Sequence, residues 1–108
     1  MDFPEKYDDL FEMIKKKLRV SFSEFDEDIK ESIIEGMAEI EDKTGKLDFL
    51  DGEKLSSIKG RKLLKLYCQY SWNNTLQYFW EDHRADIISL QIRAAQERRE
   101  ADGQKETY

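Results

Sequence analysis

Two rare side chains, one thiol and one imidazole, are where chemistry would have to start. Cys68 and His83 are the only residues of their types, and they bracket the stretch "CQYSWNNTLQYFWEDH". Such a pair could generate a thiolate nucleophile or begin a metal-ligand set. The spacing argues against both. Fifteen residues of unbroken helix at 1.5 Å each would hold them more than about 20 Å apart. A helical reversal could bring them together, but no third orienting group or glycine-rich oxyanion loop is evident. Metal sites also require further ligands at recognisable spacing, and none follows. The sequence therefore assigns no catalytic residue, no metal ligand and no cofactor, and an enzyme is not expected. Cys68 reads as a small core hydrophobe, and His83 as a polar residue at a helix end. Asn73-Asn74-Thr75 matches a glycosylation sequon. The match carries no weight where residues 1–20 hold charges throughout and suggest no secretion signal.

What the stretch does hold is aromatic surface. Tyr67 to His83 contains six of the thirteen aromatic residues, including both tryptophans. Projected on a helix at 100° per residue from Leu64, Tyr67, Cys68, Ser71, Thr75 and Tyr78 fall within about 60° of it, with Trp72 and Phe79 just beyond. Leu63, Leu66 and Tyr70 widen that apolar face, while Lys62, Lys65, Gln69 and Asn73 mark the wet one. The expected core is thus Leu63, Leu64, Tyr67, Tyr70, Trp72, Tyr78 and Phe79. Leu76 and Trp80 continue the wet stripe. On an unbroken helix they form an exposed contact patch, with His83 at its edge. A break at Asn73-Asn74, both poor helix formers, would instead re-phase the segment and bury Trp80. The exposed contact patch is the expectation adopted.

Three further helices must position this one. Pro4 suits a first helical turn, and Tyr7, Leu10, Phe11, Ile14 and Leu18 recur at helical spacing over residues 5–18. Lys15, Lys16, Lys17 and Arg19 close that helix, where cations offset the carbonyl dipoles; as a nucleic-acid patch the run is weak. In "SFSEFDEDIKESIIEGMAEIEDKTG", Ser23 and Asp26 imitate a capping box. Ile29, Ile33, Met37 and Ile40 form its stripe, and Gly36 on the same face could admit another helix closely. Gly45 supplies the C-terminal cap. Residues 46–58 form the longest connection, with Asp51-Gly52 as a turn signal and a short hairpin or ordered loop expected. The third helix starts near Ser57. The fourth follows in "ADIISLQIRAAQERRE", with Ile88, Gln91, Ile92 and Ala95 on one face and Ile87, Leu90 and Ala94 on its neighbour. Gly103 is expected to stop it, leaving residues 104–108 as a flexible tail after a single domain over 1–103.

Composition agrees with a small all-α bundle of about four helices. The chain has 108 residues, 39% apolar and 39% charged, with one proline and five glycines. No apolar run approaches the roughly 20 residues that span a bilayer, so no membrane association is expected. Net charge is −6, split unevenly: residues 1–54 hold 17 acids and 9 bases, and residues 55–108 hold 7 acids and 9 bases. Such a balance disfavours tight duplex binding and allows oppositely charged faces to meet.

In its order of elements the sequence resembles the head–tail connector (adaptor) family of long-tailed bacteriophages. The resemblance is carried by "GRKLLKLYCQYSWNNTLQYFWEDHRADIISLQI", at Leu63, Leu64, Tyr67, Tyr70, Trp72, Asn73, Asn74, Leu76, Phe79, Ile87 and Leu90. The leading amphipathic helix and the acid-fronted helix ending at Thr44-Gly45 extend it over residues 7–95. Each piece is generic, and the specificity lies in order and spacing. Trp80 stands where the family usually has an acid or polar residue, and His83 where it usually has an aromatic. The resemblance implies a non-enzymatic structural subunit of the virion, assembled in the host cytoplasm. It implies a twelve-fold ring beneath the portal protein, a monomer being compatible with the isolated chain. The ring would extend the DNA exit channel without sequence-specific DNA binding and offer a docking surface to a stopper or tail component. It also implies a C-terminal segment that reaches the portal, here Leu90, Arg93, Gln96, Arg98 and Arg99. The competing reading is a bacterial helical interaction module, monomeric or dimeric, binding a protein through Leu76 and Trp80.

Overall fold

Helical periodicity is realised almost throughout. The computed structural model describes residues 2–105, folded as five α-helices with no strand among them. A 3₁₀ turn at Glu5–Tyr7 leads into α1, Asp8–Lys17. Then come α2, Asp26–Thr44; α3, Leu55–Trp72; a 3₁₀ turn at Leu76–Tyr78; the single-turn α4, Phe79–Asp82; and α5, Arg84–Lys105. The long helices α2, α3 and α5 pack on one another, and α1 lies against α2 and α3. Their shared core contains Leu10, Phe11 and Ile14 of α1, Ile29, Ile33 and Ile40 of α2, Leu63 and Leu64 of α3, and Leu90 of α5.

The crossing of α2 and α3 depends on a missing side chain. A Cβ placed on Gly36 would lie 2.7 Å from Leu64 Cδ1 and 2.8 Å from Tyr67 Cδ1. The glycine on the apolar stripe therefore lets α3 approach α2, at a cost of about 1 kcal/mol in helix propensity. Acids occupy the first turn of α2 as the helix dipole favours, but the expected capping box does not form. Phe25 is the N-cap residue, without a side-chain cap bond, and Ser23 contributes only its carbonyl, which accepts from the Asp26 N–H at 3.2 Å. Asp26 instead pairs with Lys15 at 2.8 Å, tying α2 to α1.

Of the expected connection over 46–58, residues 46–54 form an ordered loop without a hairpin, and α3 begins at Leu55 rather than near Ser57. Aspartates organise the loop. Asp48 Oδ1 accepts from the Leu50 N–H, and Asp51 Oδ1 accepts from the Glu53 and Lys54 N–H groups at 2.8 and 2.9 Å. Those two backbone bonds hold the Asp51 carboxyl below its ordinary pKa. Arg61 donates to the carbonyls of Phe49 and Asp51, and Phe49 is buried beneath the loop. Gly45 has the positive φ expected of it, at 87°.

At the other end, Gly103 does not stop the last helix, which continues to Lys105. One glycine costs about 1 kcal/mol and does not by itself break a 22-residue helix. The expected tail over 104–108 therefore starts inside α5, and its residues 106–108 lie outside the described part.

Candidate functional site

The Asn73-Asn74 pair decides how the aromatic stretch is arranged. After Trp72 the chain leaves α3 through a paired turn: the Asn74 N–H donates to Ser71 O at 3.2 Å and the Thr75 N–H to Tyr70 O at 2.9 Å. Asn74 takes φ +58°, the left-handed conformation that asparagine tolerates better than most residues. The same pattern ends α1. There Arg19 N–H donates to Lys16 O and Val20 N–H to Lys15 O, with Arg19 at φ +62°.

The turn folds residues 76–83 back over α3. Phe79 becomes the centre of the corner, with 0% exposure. Its ring meets Tyr67 and Tyr70 edge-on at 5.5 Å each and Trp80 at 4.8 Å, and tilts against His83 at 5.3 Å. Trp80 packs on Tyr67, and the Lys43 ammonium of α2 sits 4.5 Å over its ring. The Tyr70 hydroxyl donates to Asp82 at 2.8 Å, which raises the phenol pKa above its ordinary value. Burial, with Glu35 and Glu39 nearby, raises that of Tyr67.

This geometry corrects the expected contact patch. Leu76 and Trp80 are half-buried against the core, so the break, rather than an unbroken helix, sets their phase. His83 is half-buried between Tyr70 and Phe79, with Nδ1 3.2 Å from Asp86. Tyr78, expected in the core, is 54% exposed for the same reason. Leu63, Leu64, Tyr67, Phe79 and Ile87 are buried, Tyr70 and Trp72 are packed at the margin, and Asn73 and Asn74 are exposed. Trp72 meets Phe25 edge-on at 5.6 Å, beside exposed Phe22.

Cys68 and His83 sit in different surroundings. The thiol is buried, and burial pushes its pKa up to about 12, so it stays protonated at neutral pH. His83, between α4 and α5, faces the Asp86 carboxylate in the first turn of α5.

The C-terminal segment divides by face. Leu90 has 0% exposure and belongs to the core, which removes it from the expected portal contacts. Arg93 is half-buried, whereas Gln96, Arg98 and Arg99 are exposed. Arg98 donates to Thr44 O at 2.7 Å across Gly45, and Glu97 accepts from both the Ser56 hydroxyl and, at 3.2 Å, its N–H. These contacts clip α5 to the end of α2 and the start of α3, at the two ends of the loop. Of the two apolar faces read on α5, the one with Ile87, Leu90 and Ala94 is buried. Ile88 and Ile92 are left 47% and 54% exposed, in line with Gln96 and Arg99.

One feature was missed. The cations at the end of α1 and those of α3 converge on two adjoining grooves, although they are more than forty residues apart in the chain. The wet-face lysines Lys62 and Lys65 were the available signal, but only the packing of α1 on α3 joins them to Lys16, Lys17 and Arg19. Compared with known proteins, the chain matches no family model, no curated protein and no solved structure.

Proposed function

We propose that the protein is a head–tail connector subunit of a long-tailed bacteriophage, docking as a ring beneath the portal and extending the DNA exit channel toward the tail. The reading begins from the sequence resemblance. The observation that carries it is the outer face of α5, where Ile88, Ile92, Gln96 and Arg99 form an exposed line among the described residues. An amphipathic helix whose second apolar face stays open is suited to docking on another protein. Helix α5 also continues beyond its clip to the loop, with Arg99, Glu100, Ala101 and Asp102 all exposed. In this reading Gln96, Arg98 and Arg99 contact the portal, joined by Ile88 and Ile92. A binding module working through Leu76 and Trp80 is not favoured, because both pack against the core.

The test is co-purification with the portal ring encoded by the same genome. Wild type should sediment with portal rings, and Ile92→Asp with Arg99→Glu should remain free while keeping the wild-type melting temperature. Absence of wild-type binding to portal rings, at protein concentrations that saturate other head-completion contacts, refutes the proposal.

A further inference from the structure

Six cations line two adjoining surface grooves between α1 and α3. Lys16, Lys17 and Arg19 come from the end of α1, and Arg61, Lys62 and Lys65 from α3; Lys17 and Lys65 line both grooves. No carboxylate lines either groove, and none of the six belongs to an ion pair among the described residues. Exposed Met13 and Ile58 add apolar floor. Asp86 lines a further cleft with Lys62, and its carboxylate lies 3.2 Å from His83 Nδ1. Arg61 is partly committed to the carbonyls of Phe49 and Asp51. Arg19 holds a left-handed position that glycine would fill without strain.

An acidic protein with such a groove carries its own complement. Opposite the buried stripe of α2, Glu27, Asp28, Glu31, Glu35, Glu39 and Asp42 are all exposed and unpaired among the described residues. The lysines of α2 do not relieve them. Lys30 lies over Phe3 and Phe11, and Lys43 over Trp80. Neighbouring carboxylates at i,i+3 and i,i+4 spacing repel along this helix. The acidic face and the basic groove share no residue, so one copy can offer each to a different neighbour.

We infer that the basic groove of α1 and α3 receives the acidic outer face of α2 from a second copy of this chain. The acidic face is long enough to fill the groove: the groove follows α3 from Ile58 to Gln69, about 16 Å, and the acidic face runs about 22 Å, at 1.5 Å per residue. Two different patches that meet head to tail repeat from copy to copy, and they close into a ring or run on as a filament. Duplex nucleic acid is the other polyanion that fits such cations, but a net charge of −6 repels it at long range. The inference deepens the connector reading and rests on it only for closure into a ring.

A charge swap tests it without any portal. Lys16→Glu, Lys17→Glu, Lys62→Glu and Lys65→Glu together make the groove acidic, and Glu31→Lys, Glu35→Lys, Glu39→Lys and Asp42→Lys together make the α2 face basic. Each variant alone then opposes like charges at the contact, whereas a mixture restores both complementary pairings. By sedimentation velocity at low ionic strength, wild type should self-associate, weakening at least about ten-fold as salt screens the contact. Each variant should be monomeric with an unchanged melting temperature, and the equimolar mixture should associate again. Three results overturn the inference: a monomeric wild type up to about 1 mM at low salt, a mixture that stays monomeric, or a groove variant that loses only affinity for a duplex DNA fragment. Failure of portal binding with a successful swap would reject the connector reading and leave this contact standing.

Discussion

Replacing Gly36 with alanine sets two effects of known sign against each other. Alanine gains about 1 kcal/mol in a helix interior relative to glycine. Against this, the new methyl would lie 2.7 Å from Leu64 Cδ1 and 2.8 Å from Tyr67 Cδ1, closer than real Cβ contacts come. Neither neighbour can yield easily, since Leu64 is fully enclosed and Tyr67 is held edge-on by Phe79 and Trp80. Overpacking of this kind costs about 1–3 kcal/mol. The net is a loss of about 1 kcal/mol, which in a domain of this size lowers Tm by about 4–8 °C. Urea unfolding followed by far-UV circular dichroism measures it. Gly52→Ala is the control, because a Cβ there meets open space, and it should leave stability unchanged or slightly raised. Truncating the obstacle adds a second check. In a Leu64→Ala background, where only the Tyr67 contact remains, Gly36→Ala should cost less than in wild type, with a coupling energy of about 0.5–3 kcal/mol. If Gly36→Ala raises Tm in the wild-type background, the close crossing of α2 and α3 is not what fixes this residue, and the packing argument fails.

Other outcomes follow from the corner and its turn. Asn74→Gly should leave stability unchanged or raise it by a few tenths of a kcal/mol, whereas Asn74→Val should cost about 1–2 kcal/mol, because a β-branched residue resists φ +58°; chemical denaturation distinguishes them. Cys68 should react with a thiol reagent at pH 8 only as fast as the protein opens, since the folded thiol is buried and protonated up to about pH 12; fast stoichiometric labelling of folded protein would contradict the placement. The raised pKa values of Tyr67 and Tyr70 contribute stability below the ordinary phenol range near 10, and this is lost as pH rises through the folded values. Ultraviolet titration should therefore show two phenols ionising late, and Tyr70→Phe should reduce the alkaline loss of stability.

Periodicity was enough to place every long helix, because each carries an apolar stripe that only one face of a helix can bury. It failed where the chain changes phase. The projection through Tyr67–His83 held as far as Trp72, then misassigned Tyr78 and Trp80, since one left-handed residue at Asn74 rotates everything after it. The alternative of a break was legible in the Asn-Asn pair, but its consequence for Leu76, Tyr78 and Trp80 required the turn geometry. Ser23 and Gly103 failed for a different reason. Local cap and stop signals are worth about 1 kcal/mol each, and tertiary packing or helix length can outweigh them. On α5, sequence showed two apolar faces without indicating which would be covered. The basic groove was invisible for the simplest reason, since it belongs to no single element.

The clip between α5 and the loop has a mechanical consequence. Past Arg98, residues 99–105 extend the helix by about 10 Å, so tilting this arm by about 10° displaces its tip by about 2 Å. The aim of the arm is set where Glu97 grips Ser56 and Arg98 grips Thr44. Both grips lie at the ends of the loop that joins α2 to α3, so movement in that loop would be magnified at the tip. The loop thus acts as the mount of a pointer, and its aspartate-fixed backbone is what keeps the pointer steady.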